Sequence, residues 1–251
     1  MTHSLSEIVA LVGLLLLGLG LAPPDAITVY MIGDSTMSEK EVRAYPETGW
    51  GTPFAVFFDE TVTVENHARN GRSTRTFLEE GRWQPVVDNV EEGDYVFIQF
   101  GHNDEVPSKE QYTTEDNFKA NLTKFVTETR EKGGQPVLLT PVARRHFDDN
   151  GNLEQTHPYA ALTREVARAH DVPLIDHTKM SKALLRDLGP ENSKVLYNHL
   201  EPGQHPNYPE GREDDTHFNN YGARRMAELV LDGLQELDLD LAERVVNNEE
   251  G

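Results

Sequence analysis

The sequence predicts a single-domain three-layer α/β/α sandwich around a central, mostly parallel five-stranded sheet. Three observations carry this. Apolar, β-rich runs alternate with amphipathic helical stretches along the chain, the pattern of right-handed strand–helix–strand crossovers. Two of the runs, ITVYMI at 27–32 and YVFIQF at 95–100, are apolar almost throughout, as strands covered by helices on both faces are. The length of 251 residues suits one α/β domain and leaves little room for a second.

Taken in order, strands are expected at 27–32, 62–65, 95–100, 136–139 and 173–175. Helices are expected at 54–59, 115–132, 159–169, 179–188 and 219–237. In the second of these, Phe118, Leu122, Phe125 and Val126 recur at helical spacing and Gly133-Gly134 ends the run. No repeat or low-complexity block interrupts the series. Residues 1–24 form a hydrophobic leader, 25–240 the domain, and 241–251 an acidic tail. Within the leader, residues 8–22 (IVALVGLLLLGLGLA) are short for a membrane span and fit the apolar region of a signal peptide, although no Lys or Arg precedes them and Pro23 follows. A secreted or cell-surface protein is therefore expected, with a cytoplasmic one as the alternative.

Composition excludes several classes. There is no cysteine, so a disulfide framework, a thiolate nucleophile and a cysteine-ligated zinc are ruled out. Asp and Glu number 43 against 23 Lys and Arg, for a net charge of −20. Such a surface repels nucleic acid and anionic lipid. The acids are dispersed, as on proteins of salt-loving organisms; ordinary acidic solubility is the competing explanation.

In an open parallel sheet, ligands bind beyond the carboxyl ends of the strands, so the residues there carry most weight. The first strand runs into Gly33-Asp34-Ser35-Thr36, placing a serine on a strand-to-helix turn with its amide at a helix N-terminus; alternatively Asp34 or Ser35 only caps that helix. The second ends in Asn70-Gly71-Arg72, where Gly71 offers a bare backbone amide or is an ordinary loop glycine. The third ends in Gly101-His102-Asn103-Asp104, where Asn103 can donate from an uncharged amide. His102 is structural or substrate-facing. Near the end, Asp214 stands three residues before His217, so a carboxylate can fix an imidazole on one turn; Asp215 is the rival. Each motif alone is weak. Together, in order, they supply a nucleophile, two oxyanion donors, a base and its orienter.

GDST, ARNGRST, QFGHND and DDTHFNNYGA resemble the four blocks of the SGNH (GDSL-type) hydrolases, and more narrowly the rhamnogalacturonan acetylesterases, family 12 of the carbohydrate esterases. TGWGTPF (48–54), TPVARRHFDDNGNL (140–153) and NYPEG (207–211) extend the likeness across residues 27–237. The resemblance implies a flavodoxin-like SGNH fold. It implies Ser35 as nucleophile, His217 as base, Asp214 as its orienter, and an oxyanion hole from the amides of Ser35 and Gly71 with the Asn103 side chain. It implies no metal or other cofactor, and an acetylated polysaccharide, pectic rhamnogalacturonan, as substrate. Asp34, Arg72, His102 and Arg144 are the candidate substrate contacts, and a monomer or weak homodimer is expected.

Three other readings compete with this one. A lipase- or thioesterase-like enzyme needs an apolar acyl groove, whereas Arg69, Arg72, Arg75, Arg144, Arg145 and His146 suggest loops that meet polar or anionic ligands. A non-catalytic carbohydrate-binding protein leaves the full catalytic set unexplained. A metal loop at Asp148-Asp149-Asn150-Gly151 has its glycine misplaced for an EF-hand and reads as an Asn-Gly turn.

Overall fold

The computed structural model describes residues 26–154, 157–237 and 239–246. The leader and residues 247–251 of the tail lie outside them. Five strands, β1 (Ile27–Gly33), β2 (Val62–Asn66), β3 (Tyr95–Gln99), β4 (Gln135–Leu139) and β5 (Leu174–Ile175), form one sheet. Its order is β2-β1-β3-β4-β5 and every pairing is parallel. The helices are α1 (Gly51–Phe54), α2 (Thr74–Glu79), α3 (Gln84–Asn89), α4 (Glu115–Glu131), α5 (Tyr159–Ala169), α6 (His177–Asn192) and α7 (Asn220–Glu236).

The pleat of β1 sorts the core into two layers. Val29 and Met31 pack with Trp50, just ahead of α1, and with Phe54, Leu185, Met226 and Val230 from α1, α6 and α7. Tyr30 and Ile32 pack with Phe77, Val86, Phe125 and Val166, from α2 through α5. Burying both faces is what makes these strands read as continuous apolar runs. β2, at the sheet edge, alternates half-buried with exposed residues instead.

The structure departs from the sequence reading at short elements. The helix expected at 54–59 is one turn of α1 followed by a 3-10 turn, Ala55–Phe57. Two helices, α2 and α3, were not expected; at six residues each they are too short to show a periodicity. The boundary expected at 240 is set too early. Asp240–Arg244 forms a 3-10 turn with Leu241 fully buried, and Val246 N–H donates to the Phe57 carbonyl at 2.8 Å. Among the described residues no helix is long and apolar enough to cross a membrane.

Candidate active site

The sheet order puts β1 between β2 and β3, so the connections on either side leave a crevice at the carboxyl end of β1. Ser35, Gly71 and Asn103 follow β1, β2 and β3 at that edge, and all three line one open hollow of about 640 Å³. No regular helix begins at Ser35, contrary to the sequence reading. The chain makes a single turn in which the Asp34 carbonyl accepts from Met37 N–H at 3.3 Å and Ser38 N–H at 3.1 Å. Asp34 Oδ1 caps the turn, accepting from Thr36 N–H at 2.9 Å and Thr36 Oγ1 at 2.8 Å.

The fourth motif reaches this edge from the start of α7. Asn219 Oδ1 caps that helix through Gly222 N–H at 3.0 Å. Gly222 allows close packing here, since a Cβ would sit 1.7 Å from the Leu196 carbonyl oxygen. Just upstream, Asp214 Oδ1 accepts from the backbone N–H of Thr216 and His217, both at 2.9 Å, which winds 214–217 into one tight turn. His217 Nδ1 is then 3.0 Å from Asp214 Oδ2, and His217 Nε2 is 2.9 Å from Ser35 Oγ. A carboxylate only accepts, so Nδ1 carries the imidazole proton and Nε2 is free to accept from the serine. Burial alone would raise the Asp214 pKa. Hydrogen bonds and charge from His217, with Arg212 Nη2 at 2.7 Å, outweigh it and hold the carboxyl well below the usual range.

Asp215, the rival orienter, faces away from the serine. Its Oδ1 accepts from Arg145 Nη1 at 2.6 Å and pairs with His199 Nε2 at 2.8 Å. It lines a larger hollow of about 820 Å³ that holds no nucleophile.

Gly71 has φ +74°, with nothing near its absent Cβ. Asn103 Oδ1 accepts from Lys109 Nζ at 3.2 Å and Asn103 Nδ2 donates to the Arg72 carbonyl at 3.0 Å. That fixes the amide's orientation and leaves one of its two N–H bonds unused.

Of the four expected substrate contacts, two do not line the hollow. Asp34 is fully buried and both its oxygens are used internally, Oδ2 by His102 Nδ1 at 3.2 Å. Arg72 is turned outward onto Glu80, with Nη1 on the Asn70 carbonyl at 2.8 Å. His102 and Arg144 do line the hollow. His102 is its floor, with the ring 4.4 Å from that of His157 and Nε2 unpartnered. His157 is bound to Glu105 Oε1 at 2.7 Å. Burial, with His102 and the Arg144 guanidinium close by, pushes its pKa down to about 4.

The sequence reading missed Lys40, Glu47, Lys109 and Arg212. Lys40 and Glu47 sit inside the block spacing, but neither belongs to a motif. Among the described residues, one trio could hold a cation, Glu47, Asp214 and His217, and there an ion would have to displace the Ser35–His217–Asp214 hydrogen bonds.

The chain resembles known proteins over most of its length. The chain is 44% identical over 225 residues to the rhamnogalacturonan acetylesterase RhgT of Bacillus subtilis, covering 89% of this chain and 96% of that protein. A rhamnogalacturonan acetylesterase of Emericella nidulans is 28% identical over 234 residues, covering 83% and 85%. The solved structure of the Bacillus subtilis protein YxiM superimposes with a TM-score of 0.74 at 27% identity, over 87% of this chain and 58% of that one. The model of the GDSL-like lipase/acylhydrolase family matches residues 31–225, and the chain belongs to that family.

Proposed function

We infer that this protein is a carbohydrate O-acetylesterase whose nucleophile is Ser35. The observation that carries the reading is the hydrogen-bonded series Ser35 Oγ, His217 and Asp214, at 2.9 and 3.0 Å, opening on a polar hollow. Ser35 attacks the acetyl carbonyl as His217 Nε2 takes its proton, and Asp214 stabilises the imidazolium that forms. The alkoxide lies against the amides of Ser35 and Gly71 and the unused N–H of Asn103. His217 returns the proton to the departing sugar hydroxyl, and water activated by the same imidazole releases acetate. Ser35→Ala tests this directly: hydrolysis of a small aryl acetate is expected to vanish, and an unchanged rate sinks the reading.

The substrate we favour is acetylated rhamnogalacturonan. Its support is the relatives' names together with the lining of the hollow, to which Lys109 and Arg144 bring positive charge and in which Val106 is the one aliphatic side chain. That lining suits a uronate carboxylate and gives little hold to a long acyl chain. Acetate release from rhamnogalacturonan acetate, xylan acetate and a medium-chain ester, compared across salt concentrations, separates these substrates; preference for the medium-chain ester overturns the pectic assignment. The leader at 8–22 and the dispersed acidity further suggest an exported enzyme that tolerates high salt.

A further inference from the structure

Lys40 is a lysine with its side chain only 5% exposed, five residues past the nucleophile. Its ammonium has three protons and three acceptors. Nζ donates to the Ser35 carbonyl at 2.6 Å, to Asn70 Oδ1 at 2.6 Å, and to Glu47 Oε1 at 2.9 Å. Those acceptors belong to three separate segments: the turn after β1, the loop after β2, and the stretch before α1. The first two carry the Ser35 and Gly71 amides. Ser38 Oγ adds a second donor to Asn70 Oδ1 at 2.6 Å, so that side chain is clamped from two sides.

Glu47 extends the connection to the base. Its carboxylate, that of Asp214 and a ring nitrogen of His217 lie within 4.8 Å of one another, and it borders the same hollow as Ser35. The backbone holds it there: Thr48 N–H donates at 2.9 Å to the carbonyl of Phe218, the residue after His217. Lys40 and Glu47 therefore bridge the oxyanion loops to the histidine turn.

We propose that Lys40 and Glu47 act as a positioning pair for the reaction assigned to Ser35, with Lys40 fixing the two backbone donors and Glu47 presenting a second carboxylate to His217. The proposal rests on the esterase reading above. Beside the serine, Lys40 is paired with Glu47 and Arg212 with Asp214, so each of these cations has a carboxylate partner. Lys109 and Arg144 also line the hollow, and Asp34 is buried next to the nucleophile in sequence. Burial draws the Lys40 pKa down, and Glu47 is the strongest influence opposing that, which ties the lysine's charge to its partner.

The test is aryl acetate hydrolysis from pH 5 to 9 by Glu47→Gln, Lys40→Met and the double variant, with thermal melts alongside. Each single change is expected to lower kcat about 10- to 100-fold with KM moving less than about 3-fold, since what is lost acts on the transition state. Glu47→Gln, nearly isosteric, should also move the acid limb of the kcat/KM profile down by about half a unit or more, because an imidazolium has lost a nearby negative charge. The double variant should lose no more than about either single one, as members of one unit do. Should Lys40→Met be insoluble, Glu47→Gln and its pH profile decide alone. A Glu47→Gln enzyme with kcat within 3-fold of wild type, an unmoved acid limb, or losses that multiply in the double variant overturns the proposal. Ser35→Ala runs beside them, so an active Glu47→Gln next to an inert Ser35→Ala removes the pair and leaves the esterase standing.

Discussion

Asp214→Asn separates the assigned orienter from its neighbour by a change of a single atom. The Asp214 carboxylate accepts four hydrogen bonds: two backbone N–H groups on Oδ1, and His217 Nδ1 with Arg212 Nη2 on Oδ2. An asparagine keeps its carbonyl on the two amides, because turning it over would set a donor against both. Its NH₂ then faces His217 Nδ1 and Arg212. The imidazole responds by accepting at Nδ1 and carrying its proton on Nε2, where it donates to Ser35 and can no longer act as base. The expected loss in kcat is about four orders of magnitude at neutral pH, or about 5.5 kcal/mol of transition-state stabilisation at 1.36 kcal/mol per tenfold, with KM nearly unchanged. The matching control is Asp215→Asn. Its oxygen can still accept from Arg145 and His199, so less than about a 5-fold loss is expected. Steady-state hydrolysis of an aryl acetate reads both variants. A loss below about 30-fold in Asp214→Asn, or a larger one in Asp215→Asn, refutes the assignment of the carboxylate.

Asn103→Ala removes one oxyanion donor and should lower kcat about 10²- to 10³-fold with little change in KM; an effect confined to KM would place Asn103 at the sugar instead. Asp104, beneath it, is almost wholly buried, and burial raises its pKa to about 7 despite Thr74 N–H and Oγ1 at 2.8 and 2.6 Å. Because the folded pKa is above the unfolded one, near 3.9, the group's stabilising contribution is complete at low pH and is lost as pH rises toward and through about 7. Asp104→Asn does not titrate, so its unfolding free energy relative to wild type should climb between pH 4 and 7 by about a few kcal/mol and level off above, read from denaturant melts at each pH. A difference between the two proteins that stays constant from pH 4 to 8 removes the claim that burial raises the Asp104 pKa.

The fold was legible wherever a single local rule had room to act. β1 and β3 announce themselves because both faces are covered, and α4 and α7 because each is long enough to repeat its apolar face: Phe118, Leu122, Phe125 in one, Ala223, Met226, Val230 in the other. α2 and α3 could not be seen by that rule, since each is held by a few core anchors, Phe77, Val86 and Val87, rather than by a stripe. The same limit explains the turn at Ser35. A strand followed by a capping aspartate suggests a helix, but the chain here needs only enough curvature to lift the serine above the sheet, and Asp34 supplies it with its own carbonyl and carboxylate.

Three points of the site were legible because parallel topology brings the ends of neighbouring strands together, so motifs far apart in sequence converge by construction, and the fourth arrives on the turn before α7. The charges around them were not. Arg72 and Arg144 look alike in the sequence, yet Glu80 takes one outward while the other lines the hollow. Lys40 looks like one more surface lysine in an acidic chain until the turn after β1 buries it against Ser35, Asn70 and Glu47. A motif records which atoms react. The partner a charge finds, and hence whether it is solvated or buried beside the nucleophile, depends on the relative placement of three loops, and no stretch of the sequence specifies that alone. Lys40 and Glu47 are therefore where structure adds most to the sequence, and where substitution tests the assignment of this site most sharply.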